Sequence, residues 1–456
     1  MWNEIAGRPS VILFLSLVTG ISIFRYINLL FVPLIFLAAG FLFIKDKVSV
    51  IIILVLLSSW WASKNYNRYM DSIERVKSLS GSRVNAVCRV KDISRYGMVV
   101  DNLIIENDKY YGVLDVNTEE KFHHGDTLLI SGKIYENRIN SVERREFQTR
   151  LIGTLYSNRI TLLSSKKFSL KRSLYLLRQK IKDRLSPFFT TEERDLIMAM
   201  VLGIDEDLNY EIYKNFKATG LIHTLVASGA QVSILVAGLI PFIKGGWIAV
   251  LFLLIVLYSF ITGLGVSIIR AGIMMGINLI ARVLNEDYDP FSSLAFSGSL
   301  ILLFDPFAIF GTSFQLSFLA TFSLIGISPL INIKRLNFII PTLTVQGILA
   351  PLLLYKNGSL PLISFPINVI VAPLISIITI GGFILALSTF TFPFITSIIS
   401  IIIKPVIYLL LRTVNLGNSM TYNIDYSPGT IELIAMYIII GGLIYLGYTG
   451  LHKDNK

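Results

Sequence analysis

Apolar residues come in long unbroken runs near the start of the chain and through its second half, with a stretch of short alternation between them. Residues 11–24, 29–44 and 48–62 form the opening runs. The first two fall short of the roughly 20 residues that span a bilayer, so tilt, local thinning or a hairpin is implied. No cluster of positive charge precedes the first run and no small-residue cleavage site follows it, so it reads as a retained anchor rather than a secretory signal. From about residue 81 to 163 the period falls to two. Residues 83–90 alternate, 110–116 do so more loosely, and 127–134 follow the turn His124-Gly125-Asp126. Gly-Asp ahead of a strand that contains Ser131-Gly132-Lys133 predicts a small all-β barrel, OB-like in pattern.

Between residues 168 and 189 the period lengthens to that of a helix. Leu170, Leu174, Leu177, Ile181 and Leu185 recur at steps of three and four, with Lys171, Arg172, Arg178, Lys180, Lys182 and Arg184 among them. This predicts an amphipathic helix lying along a membrane surface and ending at Pro187. Nine further apolar segments follow at 221–243, 247–263, 266–284, 291–303, 307–331, 338–354, 365–387, 395–411 and 431–448. Lys45 and Lys47 mark a cytoplasmic loop, which leaves the amino terminus inside and the alternating block outside. Alternating sides from there puts Lys244, Arg282, Lys334, Arg335 and the basic tail inside, with Lys356 opposing. The pattern predicts a polytopic α-helical membrane protein of about 12 transmembrane helices with an inserted extracytoplasmic OB-like domain. Its segments are 1–63, N-terminal helices; 64–165, the OB-like domain; 166–220, basic interfacial helices; and 221–456, a transmembrane domain.

Composition agrees and narrows the chemistry. Of 456 residues 53% are hydrophobic and 16% charged, against roughly 25% charged in soluble proteins, which excludes a soluble enzyme. The single Cys88 excludes an internal disulfide framework and a Cys-built zinc site. His123-His124 sits at a turn without neighbouring ligands, so no metal is expected. The net charge is +11, and residues 138–184 carry nearly all of it, with 13 Lys and Arg against three Asp and Glu. That segment is either an electrostatic guide for a polyanion or an anchor to anionic lipid headgroups. No Gly-x-x-x-x-Gly-Lys-Ser/Thr loop is present, so an energy source must lie elsewhere.

Polar groups at membrane depth are costly unless they face a cavity or one another. The densest group is His223, Ser228, Gln231 and Ser233, where Ser228-Gly229 permits local unwinding. Together these predict a pore or substrate lining, although Ser228 and Gly229 alone are ordinary helix-packing residues. Arg270 lies inside an otherwise apolar segment and either snorkels outward or faces a conduit, where its guanidinium would meet phosphate. Asp305-Pro306 predicts a cap for the helix that follows. Gln315, Ser317 and Asn368 add amides and hydroxyls at depth, each also explicable as a helix–helix hydrogen bond.

These residues resemble the ComEC-type competence channels, which import single-stranded DNA across the bacterial inner membrane. Residues 220–232 are similar to that family's Gly-x-x-His-x-x-x-x-Ser-Gly-x-His-Val signature, and Gly203-Ile204-Asp205 to a preceding Gly-x-Asp element. Ser267 to Ala271, Asp305-Pro306, the Phe-Gln-Leu-Ser-Phe at 314–318, and later Gln346, Pro351, Tyr355, Asn368 and Pro373 follow in the family's order. The resemblance runs from about residue 147 to 448. It implies a channel in the cell inner membrane, without catalytic residues, cofactor or metal, lined by His223, Ser228, Gly229, Gln231, Ser233, Arg270, Gln315, Ser317 and Asn368. It also gives the external domain a role in holding the strand. The candidate residues there are Arg89, Lys91, Arg95, Tyr96, Tyr110, Tyr111, Lys133 and Tyr135, with Arg144, Arg145, Lys171, Arg172, Lys180 and Arg184 in the basic segment. The implied partners are single-stranded DNA, the lipid bilayer, a separate DNA receptor, nuclease and cytoplasmic motor, and a possible second copy of the chain. Two departures stand out. Gln231 replaces a family histidine, and no His-x-His-x-Asp-His cluster of the family's nuclease domain is present, so nuclease chemistry is expected to come from another protein or to be dispensable. The competing readings are a membrane enzyme acting on lipid-linked glycan, with His223 and Arg270 as its working groups, and a small-solute secondary transporter.

Overall fold

The computed structural model describes residues 8–23, 47–94, 97–118, 120, 122–136, 150–165, 170–204, 207–242, 247–331, 336 and 339–453. The predicted run 29–44 lies outside them, as do Asp205, Lys244, Lys334 and Arg335. The chain forms two compact units, residues 1–177 with 298–312, and residues 178–297 with 313–456.

In the first unit α1 (Pro9–Ile23) packs against α2 (Lys47–Ser78). Helix α2 outruns its apolar stretch because Ala62, Tyr69 and Val76, spaced by sevens, keep one side buried while polar residues occupy the rest. Six strands follow: β1 (Arg83–Ser94), β2 (Gly97–Ile105), β3 (Asp108–Tyr110), β4 (Val113–Asn117), β5 (Thr127–Tyr135) and β6 (Leu151–Ser164). Their order is β1-β5-β6-β4-β2-β3, and β1 also pairs with β2, so five strands close into a barrel with β3 appended to β2. The pair β4 and β6 is parallel, while the other barrel pairings are antiparallel. The predicted alternation of β1 and β5 is realised inside the barrel. Val84, Ala86, Cys88 and Val90 face Leu128, Ile130 and Ile134 there, all at most 3% exposed. Tyr69 and Val76 of α2 complete this core, and the Tyr69 hydroxyl donates to the Leu151 carbonyl at 3.2 Å. Gly153 admits that helix, since a Cβ there would lie 2.9 Å from Val76 Cγ1. The predicted strand at 110–116 divides at Gly112, whose φ of 149° and approach to Ile152 a side chain would not accommodate.

The second unit is helical. It contains the second half of α3 (Leu170–Leu185), then α4 (Thr191–Leu202), α5 (Tyr210–Ala218), α6 (Ile222–Leu225), α7 (Gly229–Leu239), α8 (Trp247–Ile261) and α9 (Val266–Leu284). Helix α10 (Pro290–Phe304) begins in this unit and leads to a 3-10 turn of the first, Pro306–Phe310, which Asp305 caps by accepting from the Phe307 N–H at 3.1 Å. Helix α11 (Thr312–Phe322) continues through a π segment, Ser323–Ile327, and a further 3-10 turn to Leu330. There follow α12 (Ile340–Asn357), β7 (Ser359–Pro361), α13 (Ser364–Thr391), α14 (Pro393–Ser419), β8 (Asn423–Asp425) and α15 (Thr430–Lys453), with β7 and β8 paired. Among the described residues four helical spans are long and apolar enough to cross a membrane: Val266–Leu284, Thr312–Leu330, Ser364–Thr391 and Pro393–Ser419. The predicted run 221–243 is not one helix. Val226 and Ser228 are extended, and they separate α6 from α7 where Ser228-Gly229 was expected to unwind. Helices α7, α8 and α9 share one core, built from Val232, Leu235 and Val236 against Leu251, Ile255 and Ala271.

Candidate functional site

The break before α7 is held open by Gln231. Its side-chain carbonyl accepts the Ser228 N–H, and its amide donates to the Met200 carbonyl at 2.7 Å. Met200 lies in the last turn of α4, where helical carbonyls lack partners of their own. Gln231 is therefore a brace between two helix ends, 1% exposed, and not a wall of an open path. The neighbouring Gly229 is set against α9. A Cβ there would overlap the Ser267 carbonyl oxygen and come within 2.9 Å of Arg270 Nη2.

That contact brings Arg270 to the first turn of α7. The guanidinium is 8% exposed; Nε donates to Ser317 Oγ at 2.9 Å and Nη1 to Thr321 Oγ1, with Met274 Sδ at 3.6 Å. Ser317 and Thr321 are one turn apart on α11, so they share the face that meets α9. No carboxylate pairs with Arg270 among the described residues. A buried cation held by two hydroxyls and a thioether keeps its charge uncompensated, and this arrangement suits an incoming anion. The structure thus brings Gly229, Arg270 and Ser317 together, and adds Thr321. The other predicted lining residues are elsewhere. His223 is exposed on α6, Ser233 Oγ bonds back to the Gly229 carbonyl at 3.2 Å, and Asn368 Nδ2 bonds back to the Ser364 carbonyl at 2.7 Å. Gln315 is half-buried on α11, and its spacing turns it away from the face of Ser317 and Thr321.

Helix α3 does not lie free on a surface. Arg178 donates to the Ile261 carbonyl at 2.6 Å and so satisfies the end of α8. Lys182 bridges Asp207 at 2.6 Å and Asp195 at 3.6 Å. Arg184 donates to the Thr389 carbonyl at 2.8 Å, near the end of α13, and stacks on the Phe390 ring at 4.6 Å. Lys180 remains exposed. Of three cations expected to face a polyanion or lipid, Arg178 and Arg184 instead fasten helix ends and Lys182 is held by two carboxylates.

The candidate face of the barrel is also dispersed. Tyr110 is 6% exposed and belongs to the core, so it presents no ring for stacking. Arg89 is spent on Asp101, with Nε to Oδ1 at 3.0 Å and Nη2 to Oδ2 at 3.2 Å across the β1–β2 pair. Tyr111 is exposed beneath Arg68 and Lys109, at 5.2 and 5.7 Å from its ring. Tyr135 meets Tyr156 edge-on at 5.6 Å, both exposed. Lys91 and Lys133 are exposed, and Arg172 donates to Ser165 Oγ at 3.1 Å. Arg95, Tyr96, Arg144, Arg145 and the Lys171 side chain lie outside the described residues.

The family model described as Competence protein matches residues 200–451, more than half of the chain. The chain belongs to this family. ComE operon protein 3 of Bacillus subtilis is 28% identical over 216 residues, which cover 44% of this chain and 27% of the relative. Uncharacterized protein MG316 of Mycoplasma genitalium is 26% identical over 174 residues, covering 38% and 46%. The chain thus spans from about a quarter to just under half of the curated relatives it matches. No solved structure matches. In this competence protein Met200, Gly229, Gln231, Arg270, Ser317 and Thr321 all lie inside the matched stretch, and the barrel precedes it. Sequence reasoning missed Thr321, although its place four residues after Ser317 is a helical signal. It also missed the pairing of Arg150 with Asp305 within the first unit, because 155 positions separate the two residues.

Proposed function

We propose that this competence protein is a multi-pass channel of the cell inner membrane that conducts single-stranded DNA into the cytoplasm. About twelve helices cross the bilayer in this reading, and the barrel faces outward. The strand order 1-2-4-6-5-1, with a parallel pair between the third and last barrel strands, supports an OB-like domain there. The observation that carries the proposal is Arg270. Arg270 is buried without a counter-ion four residues into the span Val266–Leu284, and a passing phosphodiester offsets the cost of that charge where an apolar solute does not. A guanidinium also matches phosphate geometry, and the hydroxyls of Ser317 and Thr321 hold it in place without neutralising it. The chain performs no covalent chemistry in this reading. A separate receptor delivers DNA, another protein supplies nuclease activity, and a cytoplasmic motor or trapping of the strand drives transport. The test is uptake of labelled DNA into the cytoplasm of a competent host. Deleting the gene should abolish entry while leaving surface binding intact, and unchanged transformation would overturn the proposal. Arg270→Ala should reduce entry more than it reduces the amount of protein in the membrane, with Arg270→Lys retaining part of the function.

A further inference from the structure

Two cations on α14 have no place in the site around Arg270. This helix of 27 residues is about 40 Å long, and its inner side buries Ile403, Ile407, Leu410 and Val414. Lys404, Tyr408 and Arg412 recur every fourth residue along an exposed flank, each about 6 Å from the next. Arg412 Nε donates to the Tyr408 hydroxyl at 3.2 Å, and its guanidinium lies over that ring at 5.9 Å. The Lys404 ammonium lies over the Phe189 ring at 5.8 Å. Neither cation pairs with a carboxylate among the described residues. Helix α5 borders the same flank, because Asn215 donates to Asn415 and accepts from Asn418, both at 2.9 Å. Its Lys214 and Lys217 lie one and two positions from Asn215, turned from the side that meets α14, and are not counted in the flank.

Position along the helix decides what this flank faces. Lys404 and Arg412 stand eight residues apart, about 12 Å along the axis, with Tyr408 between them. A single phosphate headgroup does not reach both cations. A phosphodiester chain passing along α14 meets every step.

We propose that the Lys404, Tyr408 and Arg412 flank is a phosphate-binding track for single-stranded nucleic acid. The cations take successive backbone phosphates and Tyr408 offers a ring to a base, so the track is indifferent to sequence. This rests on the channel reading and adds to it a second, elongated surface apart from Arg270. The test uses the full chain in phosphatidylcholine nanodiscs with a fluorescent oligothymidylate, titrated at several salt concentrations. Lys404→Gln combined with Arg412→Gln should flatten the slope of log K against log salt by about 1.4, from two lost contacts at about 0.7 each for a single strand. Each single variant should account for about half of that, which keeps the test usable where the double variant unfolds. The charge-retaining Lys404→Arg with Arg412→Lys should keep the parental slope. An unchanged slope in the double variant overturns the track. So does a change confined to retention of phosphatidylglycerol, which makes the flank a headgroup site. Salt-insensitive binding by the parent chain, together with normal DNA entry in the deletion strain, overturns the channel reading itself.

Discussion

Gln231 offers the sharpest test of how this fold is held. The side chain is 1% exposed and makes two hydrogen bonds with different demands: it accepts from the Ser228 N–H and donates to the Met200 carbonyl. Gln231→Leu keeps the volume but leaves both backbone groups buried and unpaired, at about 1–3 kcal/mol each, so a loss of about 2–6 kcal/mol is expected. Gln231→Glu keeps the acceptor, loses the donor and buries a carboxylate, and should be at least as damaging. A neutral imidazole has one acceptor and one donor, the same pair of demands, so Gln231→His should stay within about 1 kcal/mol of the parent near pH 8. Its stability should then fall as pH drops below about 6.5, because the unfolded chain binds a proton that the folded site excludes. The assay is denaturant unfolding of the full chain in detergent, followed by tryptophan fluorescence at two pH values. A Leu variant within 0.5 kcal/mol of the parent would refute the reasoning, as would a His variant as damaged as Leu at pH 8. The same argument explains how glutamine serves here where the resembled signature has histidine: the position asks for hydrogen-bond geometry rather than for titration.

Gly229→Ala should cost about 1–3 kcal/mol by overpacking against the Ser267 carbonyl and should displace the Arg270 guanidinium. A lowered melting midpoint and impaired DNA entry check this, and a variant that melts with the parent would count against it. Burial pushes the Cys88 thiol up to about 12, so maleimide should label it at pH 8 only in denaturant. Rapid labelling of the folded chain would mean that the barrel opens. Burial also raises the Asp115 carboxyl above its ordinary 3.8, so this group favours the folded state most at low pH, and that contribution is lost as pH rises through its folded value. Asp115→Asn should therefore raise the melting midpoint at pH 7, with the gain vanishing below about pH 4; equal midpoints at pH 7 would argue against the assignment.

Some of this organisation was legible because it depends on local periodicity. The alternation of β1 and β5 shows in the sequence since every second residue enters the barrel, and the bounds of α9 match its apolar run because caps and hydropathy change together there. Strand β2 was hidden by one residue. Asn102 adopts φ 53°, which shifts the buried set from Met98 and Val100 to Leu103 and Ile105 and breaks the period of two. Strand β6 was hidden in another way, since its later residues are exposed on both faces and carry no alternation to read.

The sequence by itself determined the membrane class, the inserted β block, the family and the polar positions that matter, since each follows from composition or from ordered short motifs. Tertiary structure decided what those positions do. Arg270 and Gln231 look alike as polar residues in apolar segments, yet one is a charge held by Ser317 and Thr321 without a counter-ion and the other is a satisfied brace. The cations of α3 likewise read as one basic face, until the carbonyls of Ile261 and Thr389 claim Arg178 and Arg184. The physical reason is common to all of them. The cost of a buried polar group depends on which partners stand within about 3 Å, and those partners come from helices tens to hundreds of positions away.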